Sequence, residues 1–480
     1  MARLAGVFRS LGLTDGDRVA ILCPNGRAYV ETILAVLWAG GVAVPINSRF
    51  SVAEMVEQVG DAEPLILVLD EAFLEQGEAL KQAAPRLQVL LVSRAGGSGL
   101  ADYEAGIAAA APVEDARRGG DDLACIFYTG GTTGRSKGVM LSHGNIWANA
   151  VVTAGICGFD ESLVHLHAGP LFHLAAAGRV FTTIVVGGRH VVVPRFTPED
   201  VLAAIERERV TTTTLVPTML AMILERPEFA AADLSSLRLI TYGASPMPEA
   251  VLRRSLARFP GVGFLQSYGM TELSPVATVL SRRDHGPDAP AHRLRSVGRP
   301  IASAEIRVVD AEDRDLPPGE VGEILVRGPM VMKGYWRRPA LTAQTLRGGW
   351  MHTGDAGRFD EDGYLYVTDR IKDMIITGGE NVYSAEVENA LHSHPDVLQC
   401  AVIGVPDPKW GESVHAIVVP RAGSAPGADE LVAHCRGLIA GYKVPRSVEL
   451  HEGPLPLSSV NKINKVALRA AHAERRQVPA

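Results

Sequence analysis

The chain has 480 residues, of which 47% are hydrophobic and 21% charged, so it is a globular protein with more than one domain's worth of core. Its net charge of -7 argues against bulk attraction to nucleic acid. No apolar run is long enough to span a bilayer and the N-terminus has no signal-peptide core, so the sequence predicts a cytoplasmic protein. The sequence leaves the oligomeric state and peripheral membrane contact open.

The cysteines are scattered along the chain and include no CxxC pair. Such spacing supports neither a disulfide framework nor a metal site, and it predicts buried thiols in a reducing compartment. The cysteines are Cys23, Cys125, Cys157, Cys400 and Cys435.

Short apolar strands alternate with amphipathic helices through the first half of the chain. This alternation predicts a doubly wound α/β sheet. The predicted elements, in chain order, are a strand at 17–22, a helix at 29–40, a strand at 42–45, a helix capped by Ser51, strands at 65–69 and 123–127, a short strand from Gly138 that leads to a helix start at Ser142 or His143, a strand at 189–193, a helix at 198–209, and strands at 212–216 and 237–242.

The pattern changes twice in the second half of the chain. From about residue 296, short alternating segments separated by Gly, Pro and Asp predict a small β-barrel or a meander. A compact α+β unit follows, with helices at 384–392 and 429–440 and strands at 401–405 and 414–419. We therefore expect an α/β protein with a large N-terminal domain of doubly wound sheets plus a small β-barrel, followed by a small α+β C-terminal domain.

A loop rich in glycine and threonine follows the strand at 123–127, with the sequence Tyr128-Thr-Gly-Gly-Thr-Thr-Gly-Arg-Ser-Lys-Gly138. Glycines let backbone N–H groups turn towards an anion, hydroxyls add donors and lysine adds a point charge, so the loop suits a polyphosphate. It is not a Walker A loop, because Ser136 and Gly138 flank the lysine. A flexible linker is the alternative, although linkers are not typically this rich in threonine. The candidate phosphate-binding residues are Thr129, Gly130, Gly131, Thr132, Thr133, Gly134 and Lys137.

A second motif, Gln266-Ser-Tyr-Gly-Met-Thr-Glu272, ends another predicted strand. Tyr268 can offer a flat face to a purine, Thr271 can reach a phosphate oxygen, and Glu272 can bind a hard cation such as Mg²⁺. Taken alone, a strand-to-loop turn with an incidental carboxylate is an equal alternative.

Together the two motifs resemble those of the adenylate-forming (AMP-binding) superfamily, which includes acyl- and aryl-CoA synthetases, luciferase-like enzymes and peptide-synthetase adenylation domains. The loop departs from the usual pattern at Ser136, where proline is common, and Tyr268–Glu272 matches without departure. The resemblance covers residues 15–469, and the segment before the first strand is short for the family. We expect an N-terminal AMP-binding domain at 1–371, with a barrel-like part at about 296–370, and a mobile C-terminal domain at 372–480.

The resemblance also implies nucleotide-binding roles for residues whose types alone are ambiguous. Asp355 follows a tight glycine turn and could equally form an Asx turn, but the family pattern implies that it binds the ribose hydroxyls. The same pattern implies that Arg370 contacts the nucleotide and that Lys372 is the hinge between the domains. The other residues implied to line the nucleotide site are Gly243, Ala244, Ser245, Gln266, Ser267, Tyr268 and Gly269.

Two further motifs each contain a candidate catalytic residue. Thr271, in the motif described above, is a third candidate. Lys462 lies on a proline-held loop and resembles the family's C-terminal catalytic lysine, with Asn461 where glycine is usual; a solvated surface lysine is the alternative. A positioned ammonium can neutralise charge as a carboxylate approaches the α-phosphate. The segment 170–173 resembles the gate beside the acid pocket, with His173 where peptide-synthetase domains place an aspartate for the substrate's ammonium.

The sequence therefore predicts an AMP-forming acyl-CoA synthetase that uses ATP, Mg²⁺ and CoA. The segment 175–178 is small and apolar, which leaves room for a medium- or long-chain fatty acid or an aryl acid. Gly378, Gly379 and Lys443 resemble CoA-binding elements of the family, although an exposed lysine is ordinary. The alternatives are an adenylation enzyme that loads a carrier protein and a nucleotide-binding homologue without catalysis.

Overall fold

The computed structural model describes residues 1–92, 101–129, 136–245, 247–371, 373–457 and 463–477. Within these ranges the strands are β1 (Arg18–Leu22), β2 (Val42–Pro45), β3 (Ile66–Asp70), β4 (Gln88–Val92), β5 (Ala101–Asp102), β6 (Leu123–Thr129), β7 (Lys137–Ser142), β8 (Val164–His167), β9 (Arg189–Val192), β10 (Thr212–Leu215), β11 (Leu239–Gly243), β12 (Gly263–Gly269), β13 (Val276–Leu280), β14 (Arg299–Pro300), β15 (Glu305–Val309), β16 (Gly322–Arg327), β17 (Gly334–Tyr335), β18 (Met351–Phe359), β19 (Leu365–Arg370), β20 (Ile375–Thr377), β21 (Glu380–Val382), β22 (Val397–Asp407), β23 (Gly411–Pro420) and β24 (Ser447–Leu450). The helices are α1 (Ala2–Ser10), α2 (Arg27–Trp38), α3 (Val52–Ala62), α4 (Leu74–Ala83), α5 (Tyr103–Ala109), α6 (His143–Cys157), α7 (Leu174–Val185), α8 (Pro198–Glu208), α9 (Pro217–Leu224), α10 (Glu249–Arg258), α11 (Pro339–Thr345), α12 (Ser384–His392), α13 (Ala428–Arg436) and α14 (Lys465–Gln477).

The first sheet has the strand order β17-β7-β6-β2-β1-β3-β4-β5. The pairs from β6 to β5 are parallel, whereas β6–β7 and β7–β17 are antiparallel. Alternate residues of β1 pack into two separate apolar cores, with Val19 and Ile21 on one face and Ala20 and Leu22 on the other. Helices cover both faces, so the predicted doubly wound α/β architecture is confirmed.

The second sheet has the order β14-β13-β12-β11-β10-β8-β9, with parallel pairing from β12 to β9. One face packs against α8, α9 and α10 in an apolar core. On the other face, the side chain of Arg179 in α7 reaches strands β10 and β11. Since α6 and α7 also pack on the first sheet, they lie between the two sheets.

Two helix starts follow local capping rules. The side chain of Ser51 accepts a hydrogen bond from the backbone N–H of Glu54, and the Glu54 carboxylate accepts one from the backbone N–H of Ser51. Ser142 and Asn145 form the same reciprocal arrangement at the start of α6. These capping boxes stabilise the helices where the sequence predicts them to begin.

A third sheet, β15-β16-β18-β19, is antiparallel throughout. Strands β15 and β19 lie at opposite edges, and no pairing joins them in the described ranges, so the strands form an open meander, which is one of the two arrangements that the sequence predicts. The backbone groups at the edge of β19 form hydrogen bonds with residues 297–298, which immediately precede β14. The Leu365 N–H donates to the Gly298 carbonyl, and the Val297 N–H donates to the Leu365 carbonyl, both at 2.8 Å.

The C-terminal sheet has the order β21-β20-β23-β22, with β24 parallel to β23. Helices α12 and α13 pack on one face through Val387 and Leu431, and α14 packs on the other through Leu468. The predicted small α+β unit is therefore confirmed. Helix α13 ends at Arg436, four residues before the predicted end at Ala440, and Gly437 is the residue that follows.

All five cysteines are buried free thiols, as predicted. Burial raises the pKa of each thiol, and that of Cys435 reaches about 11. Every helix in the described parts of the chain is too short or too polar to cross a lipid bilayer.

Candidate active site

The predicted phosphate loop joins two paired strands. Strand β6 ends at Thr129 and β7 begins at Lys137, and these residues face each other across the antiparallel pair. The ammonium of Lys137 lies 5.4 Å from the ring centroid of Tyr335. This hairpin therefore holds the lysine at the base of the loop. The predicted residues Gly130, Gly131, Thr132, Thr133 and Gly134 lie outside the described ranges.

A buried carboxylate, Asp355, joins two other predicted residues. Asp355 and Arg370 are directly opposite across β18 and β19, and Arg370 Nε lies 3.1 Å from Asp355 Oδ1. The Tyr268 hydroxyl donates to Asp355 Oδ2 at 2.8 Å. The Thr353 hydroxyl accepts a hydrogen bond from the Asp355 backbone N–H at 3.1 Å, which fixes the turn at Gly354. The structure thus brings together three residues that the sequence assigned to the nucleotide.

The protonation states of this cluster follow from its burial and charges. Burial is the main influence on Tyr268, and with the charge of Asp355 it raises the pKa of the phenol well above its usual value. Burial opposes the charge of Arg370, but Asp355 and then Glu272 outweigh it and raise the pKa of the guanidinium. At neutral pH the cluster holds a neutral phenol and a charged guanidinium. Each oxygen of Asp355 has two lone pairs, so the carboxylate can accept several hydrogen bonds at once.

The metal candidate, Glu272, is buried in a short 3-10 turn that begins at Thr271. The Tyr335 hydroxyl donates to Glu272 Oε1 at 2.8 Å. No salt bridge joins Glu272 to a cation in the part of the chain that the structure describes. Within the described ranges the side-chain hydrogen-bond partner of Glu272 is this hydroxyl, while Arg370 interacts with it through charge alone. Its hard oxygen atoms fit Mg²⁺.

Tyr335 has no feature in its local sequence that predicts a place in the site. Burial, and then the charge of Glu272, raise the pKa of its phenol, so it stays a neutral donor. It reaches Glu272 because β17 pairs with β7, with Tyr335 opposite Val139. Nothing in the local sequence marks that pairing, and a strand of two residues gives too little pattern to predict it.

The loop after β11 is held close to β12. Gly243 is opposite Ser267, and a Cβ on Gly243 would lie 2.1 Å from the Ser267 carbonyl oxygen, so only glycine fits. Ala244 has φ of 66°, a left-handed conformation that is strained for a residue with a side chain. Ser245 follows it. The close approach and the strained turn place these predicted residues beside the strand that carries Tyr268.

Two predicted nucleotide-binding residues have evident structural roles. Gln266 is buried, and its Oε1 accepts the Tyr242 hydroxyl at 3.4 Å. Because side chains alternate along a strand, Gln266 and Ser267 lie on opposite faces. Gly269 marks a bulge between β12 and β13, where a Cβ would lie 1.9 Å from the Pro275 carbonyl oxygen.

The predicted gate lies at the start of α7. His173 immediately precedes the helix, with its ring centroid 5.8 Å from that of Phe172. Asn25 holds the preceding segment, since its amide donates to the Gly169 carbonyl at 2.8 Å and accepts the Leu171 N–H at 2.9 Å. Asn25 gave no signal in the sequence, because its partners are distant along the chain.

The CoA-binding candidates lie in the C-terminal domain. Gly378 and Gly379 form the β20–β21 turn with φ of 62° and 86°, and a Cβ on Gly378 would lie 2.8 Å from the Trp410 ring. Lys443 Nζ lies 2.8 Å from both carboxylate oxygens of Glu386. Lys443 is therefore ion-paired within its own domain, whereas the glycine turn packs against the indole of Trp410.

The catalytic candidate Lys462 lies outside the described ranges, but the base of its loop does not. Leu457 and Ile463 pair in an isolated antiparallel bridge, and the Asn464 N–H donates to the Pro456 carbonyl at 2.8 Å. The described residues on either side of Lys462 are thus held together.

The hinge candidate Lys372 also lies outside the described ranges. The strand before it contacts the domain after it, since the Asp369 carboxylate accepts both the backbone N–H and the hydroxyl of Ser384 at 2.6 Å. The first helix of the C-terminal domain is therefore anchored to the last strand of the preceding sheet.

Comparisons with known proteins agree with this arrangement. The model of the AMP-binding enzyme family matches residues 1–336, and that of the AMP-binding enzyme C-terminal domain matches residues 386–462. Feruloyl-CoA synthase from an Amycolatopsis species is 45% identical over 473 residues, which cover 98% of this chain and 91% of that protein. The structure of the anthranilate CoA ligase AuaEII in complex with anthranoyl-AMP aligns with a TM-score of 0.91 at 27% identity, over 99% of this chain and 91% of that chain. ATP-bound MatB from Rhodopseudomonas palustris aligns with a TM-score of 0.89 at 32% identity, over 99% and 92% of the two chains. The chain belongs to the AMP-binding, adenylate-forming enzyme family, in its acyl-CoA synthetase branch.

Proposed function

We propose that this acid–CoA ligase acts on aromatic monocarboxylic acids. The observation that carries the proposal is the 45% identity to a feruloyl-CoA synthase across nearly the whole of both chains. The likeness to a ligase complexed with anthranoyl-AMP supports it, because both names refer to aromatic acids.

In the first half-reaction, a carboxylate oxygen of the acid attacks the α-phosphorus of ATP, and pyrophosphate leaves. Lys137 and the loop beyond Thr129 hold the phosphates, and Asp355 accepts the ribose hydroxyls. Lys462 neutralises charge as carboxylate and α-phosphate approach. These roles are part of the proposal.

Two further groups complete the nucleotide side of the first half-reaction. Tyr268 and Arg370 keep the Asp355 carboxylate in place through their contacts with its two oxygens. Glu272, oriented by Tyr335, would hold Mg²⁺, which supplies charge neutralisation on the phosphate oxygens when bound. Thr271 precedes Glu272 and would donate to a phosphate oxygen.

In the second half-reaction, the thiol of CoA attacks the acyl carbon, the bond from that carbon to the phosphate oxygen breaks, and AMP leaves. The turn at Gly378 and Gly379 is the proposed path of the pantetheine arm. His173, at the start of α7, is the proposed gate between the acid pocket and that path. The acyl-adenylate must be shielded from water between the two steps, which is a reason for the C-terminal domain to move about Lys372.

A pyrophosphate-release screen with parallel measurement of free thiol tests the proposal. We expect benzoate or cinnamate to be turned over faster than octanoate, with one CoA thiol consumed per pyrophosphate released. Faster turnover of octanoate would refute the aromatic assignment, and faster turnover of malonate or an amino acid would refute an apolar pocket. Pyrophosphate release without thiol loss would favour the alternative acceptor, a carrier protein.

A further inference from the structure

The face of the second sheet that meets α7 is polar, although it lies inside the protein. The side chains that point to α8, α9 and α10 are apolar, as Leu166, Leu215 and Ile240 show. Several of their neighbours along the same strands point the other way and are polar, although Leu239 on that side is apolar. The buried polar residues on this inner face are His165, His167, Thr212 and Thr241.

Arg179 of α7 is buried against this face without a carboxylate partner. Its Nε donates to the Thr214 hydroxyl at 3.2 Å, and its Nη2 donates to the Thr241 hydroxyl at 3.5 Å. No salt bridge of Arg179 occurs within the described parts of the chain. The buried thiol of Cys157, whose pKa burial raises, is another neutral neighbour. A buried guanidinium that meets only neutral groups is costly, so its retention calls for an explanation.

Two neutral histidines complete the cluster. His167 Nε2 lies 2.9 Å from His190 Nδ1, and the remaining ring nitrogen of each is buried without a hydrogen-bond partner. Burial lowers the pKa of His167 to about 3 and also lowers that of His190. Since one proton is shared between the two rings, one of the remaining nitrogens is a donor and the other is an acceptor. The cluster therefore offers both donors and an acceptor.

This polar cluster lies on the acid side of the candidate active site. Thr241 is two residues before Gly243 on the same face of β11, directly beneath the loop that borders Ser267. Arg179 is six residues after His173, which places it about 9 Å further along the helix axis. Gly178 faces the segment after the Thr271–Leu273 turn, because a Cβ there would lie 3.1 Å from Pro275 Cδ.

We propose that Arg179, with Thr241 and His167, forms a distal subsite of the acid pocket that binds a hydroxyl substituent on the ring of the aromatic acid. The proposal rests on the proposed function and specifies its substrate as a phenolic acid. The Arg179 guanidinium donates to the hydroxyl oxygen, and a histidine nitrogen accepts the hydroxyl proton. A second carboxylate is the competing ligand, because it would pair with the guanidinium, but it offers only acceptors and would leave the accepting nitrogen unmatched.

The experiment compares kcat/KM for pyrophosphate release with 4-hydroxycinnamate and with cinnamate, which differ only in that hydroxyl. We expect the native enzyme to prefer 4-hydroxycinnamate by roughly ten- to a hundredfold. Arg179→Met should reduce the preference to about threefold or less, through loss of activity with the hydroxylated acid. Thr241→Val, which keeps the side-chain shape, should reduce it partly. Arg207→Met, at an exposed arginine of α8 paired with Glu208, is the matched control and should keep the native preference.

The possible failures are distinguishable. If Arg179→Met is folded and both variants keep the native preference, the subsite is refuted while the aromatic function stands. If the native enzyme turns over neither cinnamate nor 4-hydroxycinnamate but accepts octanoate, the proposed function itself fails. Faster turnover of 4-carboxycinnamate than of 4-hydroxycinnamate would refute the hydroxyl as the recognised group. If Arg179→Met does not fold, an unchanged preference in Thr241→Val would by itself refute the subsite.

Discussion

Replacing Asp355 by asparagine tests the nucleotide site most directly, because it changes one charge and almost no volume. In the structure the carboxylate accepts the Tyr268 hydroxyl and pairs with Arg370. Its third role, accepting two ribose hydroxyls, is the one that we propose. An amide has one acceptor oxygen and one donor nitrogen. Asparagine can therefore keep the tyrosine bond, but it cannot accept from both ribose hydroxyls.

The expected loss is the value of one hydrogen bond to a charged group, about 1.5–3 kcal/mol, or roughly ten- to a hundredfold in kcat/KM for ATP. The cost in folding should be smaller. The Arg370 side chain is 46% exposed, so water screens its ion pair with Asp355, and losing that pair should cost less than about 1 kcal/mol. The variant should thus be folded but poor in ATP use.

Initial rates of pyrophosphate release at varied ATP measure the effect, and urea unfolding measures stability. Glu305→Gln is the matched control, since Glu305 is paired with Arg327 across β15 and β16 in the same sheet and is exposed. It should leave kcat/KM for ATP unchanged. If Asp355→Asn also leaves it within about twofold of native, the carboxylate does not bind the ribose and the reasoning is refuted.

Four further outcomes are expected. Lys462→Ala should lose a hundredfold or more of adenylation, on the order expected for a removed electrostatic contact, while thioester formation from synthetic acyl-adenylate and CoA is spared. Lys372→Pro restricts the backbone at the hinge, so single-turnover pyrophosphate release should persist while most CoA thioester formation is lost. Tyr335→Phe removes a donor to Glu272, so the Mg²⁺ concentration for half-maximal rate should rise roughly tenfold in a magnesium titration. Because burial lowers the pKa of His167 to about 3, the unfolded chain binds a proton below about pH 6.5 that the folded protein does not. Stability in urea should therefore fall as pH decreases from 6.5 towards 4, and His167→Asn should lessen this slope by at most about 1.4 kcal/mol per pH unit.

A specific result would contradict each of these four predictions. An equal fall of both half-reactions in the Lys462 variant would refute its separate role in adenylation. Equal retention of both in the Lys372 variant would show that the junction need not move. An unchanged magnesium requirement without the Tyr335 hydroxyl would mean that Glu272 does not bind the metal through this arrangement. An acid slope unaltered by removal of His167 would place the responsible protons on other groups.

Features with a local cause were predictable from the sequence. The helix after Ser51 begins where its capping serine predicts, because the capping box needs only residues within four positions. Both faces of the first sheet are buried, so its strands are continuous apolar runs. Such runs are easy to recognise in the sequence. Asp355 and Arg370 were named from motifs, and the antiparallel pairing of β18 and β19 brings them together.

Features that depend on distant pairing were not predictable. Tyr335 and Asn25 contact the site through segments that are far away in the sequence, and each is an ordinary residue in its local context. For the same reason the sequence predicts a β-barrel or a meander without deciding between them, because strand alternation indicates sheets but does not determine which edges meet. Arg179 interrupts a small apolar stretch, and only the packing of α7 against β10 and β11 reveals that it is buried and, among the residues that the structure describes, has no salt-bridge partner.

The pairing of β7 with β17 also has a consequence for synthesis on the ribosome. Residues 137–142 complete the edge of the first sheet early, but the two residues that cover that edge are made only when the chain reaches Tyr335. At typical translation rates this interval lasts on the order of ten to forty seconds. During that time a newly made strand presents open backbone groups to other chains. Nascent chains of this enzyme should therefore depend on chaperone protection until the second half of the N-terminal domain emerges.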